Sequence, residues 1–219
     1  MGRLRLLIEA LAAEPDPPTT ERTPAAALRA HVADSLSGLE ARELGEARRI
    51  ADIGAGAGFP GLVLAVALPQ AQVDLVEAGG RKADVIERLA RHARVANARA
   101  VRARAEEWGA APAAAGGGAG GYDAVTARAV GPLALLLEYA APLLREGGAL
   151  VAWKGVLEPP EQEAAATAAA ELGMEILGAR PVEPFEGARH RTLHLSRKVA
   201  PTPARFPRRA GAARKRPLG

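Results

Sequence analysis

Apolar and polar positions run in blocks along this chain, and the blocks change period. Short apolar runs suited to buried parallel strands fall at 49–53, 71–77, 98–102, 122–128 and 148–155. Helix-like spacing separates them, at 60–68, 81–94, 132–144 and 160–172. In 81–94 the inward face is Val85, Ile86 and Leu89. This alternation predicts a doubly wound α/β sheet with parallel strands. Two more runs, 174–181 and 191–195, joined by Glu183 to His190, predict a closing hairpin. Ahead of the sheet, 24–39 reads as a helix, with Pro24 in its first turn and Ala26, Leu28, Val32 and Leu36 as a stripe. The chain opens with a short helical stretch and a Pro-rich linker at 15–20. Residues 109–121 are almost entirely Ala, Gly and Pro and predict a flexible surface loop. The expected organisation is an N-terminal helical extension (1–47), a sheet domain (48–197) and a tail (198–219).

One stretch organises the rest: Ile50-Ala51-Asp52-Ile53-Gly54-Ala55-Gly56-Ala57-Gly58-Phe59-Pro60-Gly61. It reads as strand, glycine turn and helix start. Glycine permits positive φ and close approach of backbone to a ligand, and Pro60 suits a first helical turn. The pattern predicts a nucleotide-like cofactor at the carboxyl edge of the sheet. Gly56-x-Gly58-x-x-Gly61 formally fits a dinucleotide fingerprint, which is weak evidence alone. The competing reading is Asp52-x-Gly54-x-Gly56-x-Gly58, an acid before the turn. A pyrophosphate wants N–H donors and no acid nearby, whereas S-adenosylmethionine carries an amino group and a sulfonium cation that tolerate carboxylates. Asp52 and Glu77, the acid ending the second strand, favour the methyl donor. Glu77 stands where ribose hydroxyls are accepted in such folds. After the third strand, Glu106 is placed to accept from an adenine amino group and Trp108 to cover a ring. Arg128 and Lys154 end the fourth and fifth strands at the same edge, and His31 and Asp34 share one helical face.

Composition adds three constraints. The chain has no cysteine, which excludes disulfides and Cys-ligated metal, and no metal-ligand cluster is evident. No apolar run approaches the length of a membrane span, so the expected setting is soluble and cytoplasmic with no membrane partner; a monomer is expected. The net charge is +4, yet Arg197 to Gly219 holds eight basic residues and no acid, so the rest is net acidic. A basic arm of this kind predicts a nucleic-acid partner.

Several stretches together resemble the small-subunit ribosomal RNA methyltransferase G family, also called glucose-inhibited division protein B. They are His31-Val-Ala-Asp34-Ser35-Leu36, Asp52 to Gly61, Arg81-Lys82, Ala105-Glu106-Glu107, Ala127-Arg128-Ala129, Lys154-Gly155 and His190-Arg191. The tail adds Phe206-Pro207-Arg208-Arg209-Ala210-Gly211 and Lys215-Arg216-Pro217-Leu218. The Gly-Phe-Pro-Gly extension of the turn and the tail are the most specific. Upstream, where the family usually carries Asn-Leu-Thr, this chain has Thr19-Thr20, and Glu77 stands where many members have Asp.

The resemblance implies a class I methyltransferase (Rossmann-like) fold and transfer of methyl from S-adenosylmethionine to N7 of a guanine in small-subunit (16S) ribosomal RNA. It implies cofactor contacts at Gly54, Phe59, Ala105, Glu106 and Arg128, with Ala78, Gly79 and Gly80 joining them; Asp52, Gly56, Gly58 and Glu77 complete the expected set. Arg128 and Lys154 are the expected groups that position guanine or phosphate. His31, Asp34, Ser35, Lys82, His190, Arg191, Arg208, Arg209 and Lys215 are the expected contacts to RNA or to the 30S particle. No general base is expected, because N7 carries a free lone pair. The rival readings are a non-catalytic RNA-binding or ribosome-assembly factor and an NAD-dependent oxidoreductase.

Overall fold

The computed structural model describes residues 2–19, 21 and 23–219. An N-terminal helix α1 (Gly2–Ala13) precedes a broken helical segment. That segment is α2 (Pro24–Ala27), a π-helical turn (Leu28–Ala33), α3 (Asp34–Leu36), a 3₁₀ turn (Ser37–Glu40) and α4 (Arg42–Gly45). The sheet elements follow as β1 (Arg49–Ile53), α5 (Gly61–Ala67), β2 (Gln72–Val76), α6 (Gly80–His92) and β3 (Ala98–Val101). Then come α7 (Ala105–Ala110), a 3₁₀ turn (Ala113–Ala115), β4 (Tyr122–Arg128), α8 (Leu133–Ala140) and β5 (Leu144–Lys154). The chain ends with α9 (Pro159–Leu172), β6 (Met174–Pro181), β7 (Thr192–Lys198) and α10 (Ala212–Lys215).

The strands form one sheet in the order β3-β2-β1-β4-β5-β7-β6. Strands β1 to β5 are mutually parallel, and β7 runs antiparallel to both β5 and β6. The sheet is therefore mixed rather than parallel throughout: the expected hairpin is present, and its second strand inserts between β5 and β6. The order of strand addition reverses at β1/β4, the point where open α/β sheets bind ligands beyond their carboxyl ends. Register brings the ends level, with Ile53 opposite Val76 and Ala127, and Arg128 opposite Trp153. Gly54, Glu77 and Arg128 thus share one edge.

Two apolar layers hold the sheet. One, with Leu62, Leu64, Val85, Ile86 and Leu89, packs α1, α5 and α6 against one face. The other, with Tyr122, Leu133, Leu136, Leu150 and Leu172, packs α8 and α9 against the opposite face. The small aromatic count is met by a core in which Leu and Ala predominate, with Val and Ile filling most of the rest.

Three expectations need correction. The helix read at 24–39 is interrupted, because residues 28–33 take the wider π turn, a feature common at functional sites. Residues 109–121 fold into a compact turn in which Gly118 N–H donates to Trp108 O and Gly120 N–H to Pro142 O. Trp108 turns to Tyr122, donating from Nε1 to the phenol oxygen at 2.8 Å, and borders none of the recesses described below.

The tail is not a free arm. Phe206 and Ala213 are buried, and Arg208 makes a bidentate pair with Glu138 at 2.6 and 2.5 Å. Glu138 is 2 % exposed, so this guanidinium neutralises a buried carboxylate. Of the tail cations expected to contact RNA, Arg208 is held in this pair, while Arg209 and Lys215 are exposed.

Candidate methyl-donor and acceptor cleft

Three adjoining recesses run along the carboxyl edge of the sheet. The first, about 330 Å³, is walled by Gly54, Glu77, Ala78, Ala105 and Glu106. The second, about 700 Å³, shares Gly54, Lys82 and Ala129 with the first and adds His31, Gly56 and Phe59. The third, about 250 Å³, shares Asp34, Arg128, Ala129 and Arg191 with the second and reaches Trp153 and Lys154. The cleft is thus continuous from the β3 end to the β5 end.

Backbone builds its floor. Gly54, Gly56 and Gly58 all have positive φ, at 65°, 59° and 96°, a region costly for other residues. A Cβ on Gly54 would lie 2.8 Å from Val130 Cγ2. Gly58 faces away from the cleft: its Cβ would strike Leu62 at 2.6 Å, so this glycine serves packing on α5. Asp52 also departs from expectation. It is 1 % exposed, and its Oδ2 accepts from Gly61 N–H at 2.9 Å while Oδ1 accepts from Thr126 Oγ1 at 2.8 Å. The carboxylate therefore sits beneath the turn at the start of α5, where the helix dipole favours it. Burial still pushes its pKa up to about 6. Asp52 supports the turn and does not line the cleft.

Glu77 does line it. Its Oε2 accepts from Gly56 N–H at 3.0 Å and its Oε1 from Gly79 N–H at 2.7 Å. The turn amide that a pyrophosphate would need is already satisfied by a carboxylate, which disfavours a dinucleotide. Gly79 contributes this amide rather than a wall, and Gly80 packs under the Arg102 side chain. At the far end Glu106, 5 % exposed, accepts from Gly211 N–H of the tail at 2.8 Å. Two spaced carboxylates and a glycine floor suit a nucleoside bearing hydroxyl and amino donors, with a cationic group nearby. The residues present therefore fit S-adenosylmethionine: Gly54 and Gly56 as floor, Glu77 for ribose, and Ala78, Ala105 and Glu106 around the base.

The acceptor end is built from side chains. Arg128 Nη1 donates to Asp34 Oδ2 at 2.7 Å and to Ala30 O at 3.0 Å. Its Nη2 lies 3.4 Å from His31 Nδ1. His31 stacks on Phe59 with ring centroids 4.6 Å apart and pairs through Nε2 with Thr19 Oγ1 at 2.8 Å. Burial, with the Arg128 charge, lowers its pKa to about 4, so the ring is neutral at pH 7. A neutral ring facing a guanidinium accepts at Nδ1 and donates from Nε2 to Thr19. Thr19 thus occupies the place where the expected upstream motif is shortened; Thr20 lies outside the described residues.

Lys154 Nζ pairs with Glu161 at 2.9 Å and donates to Gly131 O at 3.0 Å. Ser35 is fully buried and donates to His31 O, so it shapes the helix and touches no recess. His190 is exposed, with φ 57°, and borders no recess, nor do Arg209 and Lys215. Sequence reasoning missed Tyr139 and Arg214, which wall the first recess. The eight-residue basic count of the tail could not say which cation folds back onto the cleft.

Comparison with known proteins bears on the family and the fold. The family model for rRNA small subunit methyltransferase G matches residues 19–182. A ribosomal RNA small subunit methyltransferase G of Roseiflexus castenholzii is 44% identical over 170 residues, covering 78% of this chain and 70% of that protein. Those of Chloroflexus aggregans and Rubrobacter xylanophilus are 41% and 40% identical, covering 91% and 90% of this chain and 82% and 75% of theirs. Among solved structures, the S-adenosylmethionine-dependent methyltransferase SibL superposes with a TM-score of 0.62 at 15% identity, covering 88% of this chain and 62% of that one. An O-methyltransferase family protein from Burkholderia thailandensis gives 0.58 at 14%, covering 80% and 58%. These two likenesses establish the class I methyltransferase fold. With the cleft in place and the family model spanning its strands, the chain belongs to the rRNA small subunit methyltransferase G family.

Proposed function

We propose that this chain methylates N7 of a guanine in small-subunit (16S) ribosomal RNA, free or assembled into the 30S particle, in the cytoplasm and as a monomer. The observation that carries the reading is the family match over a continuous cleft with a backbone-built donor end and a charged acceptor end. When bound, S-adenosylmethionine supplies a methyl carbon on a sulfonium sulfur, which the N7 lone pair takes while the C–S electron pair stays on sulfur.

The chain's own work is positioning. N7 carries no proton, so no base need remove one. His31, neutral and held by Thr19 and Phe59, is a wall rather than an acid or base. Arg128 fixes Asp34 against the end of β4 and leaves N–H groups toward the second and third recesses. Arg191 and Lys82, both exposed at the rim, are available for phosphate or for the O6 edge of guanine. Alignment of this kind accounts for large rate effects without proton transfer.

Calorimetry should detect S-adenosylhomocysteine binding and no NAD binding, and labelled donor should put methyl into ribosomal RNA. Binding without transfer would favour the assembly-factor reading. NAD binding would overturn both.

A further inference from the structure

One atom on the wall between the second and third recesses has unused bonding capacity. Asp34 is 3 % exposed and its Oδ2 is taken by Arg128, but its Oδ1 has no hydrogen-bond partner among the described residues. Arg191 Nε stands 3.7 Å from that oxygen, beyond hydrogen-bond length. A buried carboxylate oxygen left without a donor is costly, and this one is held rigidly. Trp153 Nε1 donates to the Asp34 carbonyl at 2.8 Å, and Ser37 Oγ does so at 2.7 Å. The recess beside it opens at the ends of β4 and β5.

Resting on the function proposed above, we propose that Asp34 is the positioning residue that selects guanine, its free Oδ1 accepting from N1–H and the 2-amino group of the target base. A carboxylate oxygen offers two lone pairs, and among the four bases guanine alone presents two adjacent donors on its Watson–Crick edge. Adenine N1 and cytosine N3 are acceptors there and are repelled. Uracil offers one donor between two carbonyls. Enzymes that modify a base extrude it and read that edge. N1 and the 2-amino group lie across the purine from N7, so holding them leaves N7 free and turned away from Asp34. Methyl transfer leaves the purine cationic, and an anion on N1–H favours that charge more after transfer than before. Arg191, half exposed and loosely placed over Oδ1, is the side chain that shifts to admit the base.

The test is a cycle of two changes. Small-subunit RNA is assembled into 30S particles with either guanosine or inosine at the nucleotide the wild-type chain methylates; inosine lacks only the 2-amino group. For wild type, inosine should lower kcat/KM about tenfold or more, the scale of a charge-assisted hydrogen bond. In Asp34→Asn the guanosine rate should fall, and the inosine penalty should shrink to within about twofold. S-adenosylhomocysteine affinity, measured by calorimetry, should stay within about threefold, since the cofactor end is separate. Equal wild-type rates on guanosine and inosine would overturn the inference even if the variant fails to fold. A full inosine penalty retained in Asp34→Asn would also overturn it, and would leave Asp34 as a mere support for Arg128. Wild type that methylates no guanine at all would instead overturn the function on which the inference rests.

Discussion

The two ends of the cleft are made in different ways. The donor end comes from one contiguous stretch, 54–59, plus single acids from the next two strand ends, and its floor is backbone. The acceptor end joins Asp34, Arg128, Lys154 and Arg191, drawn from four separate elements, and its surface is charged side chain. Backbone amides and glycine space can recognise a donor shared by many enzymes. Side chains gathered across the fold can be changed singly, which is how one donor site comes to serve a particular acceptor.

Substitutions should respect this division. The largest effect on cofactor binding is expected for Gly54→Val. A branched residue at φ 65° costs about 1–2 kcal/mol, and its Cβ already conflicts with Val130. S-adenosylhomocysteine affinity should fall at least ~100-fold, about 2.7 kcal/mol; affinity within a few-fold of wild type would show that the floor is not at Gly54. Next is Arg128→Ala, which leaves the buried Asp34 carboxylate with only the longer 3.7 Å ion pair to Arg191. Stability should drop by about 3–5 kcal/mol, and single-turnover methylation of ribosomal RNA should slow by roughly 100-fold. An unchanged rate would remove Arg128 from the acceptor end.

The tail offers a paired contrast. Arg208→Ala leaves Glu138 buried and unpaired and should cost about 3 kcal/mol in denaturant unfolding. It should not alter the salt dependence of RNA binding. Arg209→Ala with Lys215→Ala should leave stability alone and lower the log–log salt slope by roughly 0.7–0.9 per lost phosphate contact. If Arg208→Ala instead flattened the slope, the guanidinium would be a phosphate ligand despite its pair.

How much of this was legible in the sequence follows the same division. The glycine turn, its strand and the acid ending β2 are local patterns, and Gly54, Gly56, Phe59 and Glu77 all border the cleft. Asp52 was misassigned because an acid beside a glycine turn reads alike whether it meets a ligand or caps α5. Only the register of Thr126 opposite Asp52 and the nearness of Gly61 decide it. The partners that the structure gives Ser35 and Arg208 are hidden for a related reason. A polar type in a functional motif does not disclose that its partner is a carbonyl one turn back or a buried glutamate 70 residues away. Arg214 and Tyr139 had no local signal at all, since they reach the cleft only because the tail and α8 pack there.

The smallest effect is in pH. The His31 pKa is lowered to about 4 from 6.5, so its neutral form contributes stability that is present above pH 6.5 and lost as pH falls toward 4. Asp52, raised to about 6, acts oppositely: its contribution is present below about pH 4 and lost as pH rises through 6. The two nearly offset in wild type. His31→Asn should therefore gain in Tm relative to wild type between pH 6.5 and 4.5, and a difference constant with pH would contradict the buried, neutral ring.

The most direct test of the central claim is chemical. Small-subunit ribosomal RNA methylated by this chain, as free RNA and in 30S particles, is reduced with borohydride, cleaved with aniline and mapped by primer extension. Transfer to N7 predicts one donor-dependent cleavage, at a guanine, abolished by Gly54→Val. Label incorporated with no such cleavage, or with methyl recovered on an exocyclic nitrogen or a ribose hydroxyl, would contradict it.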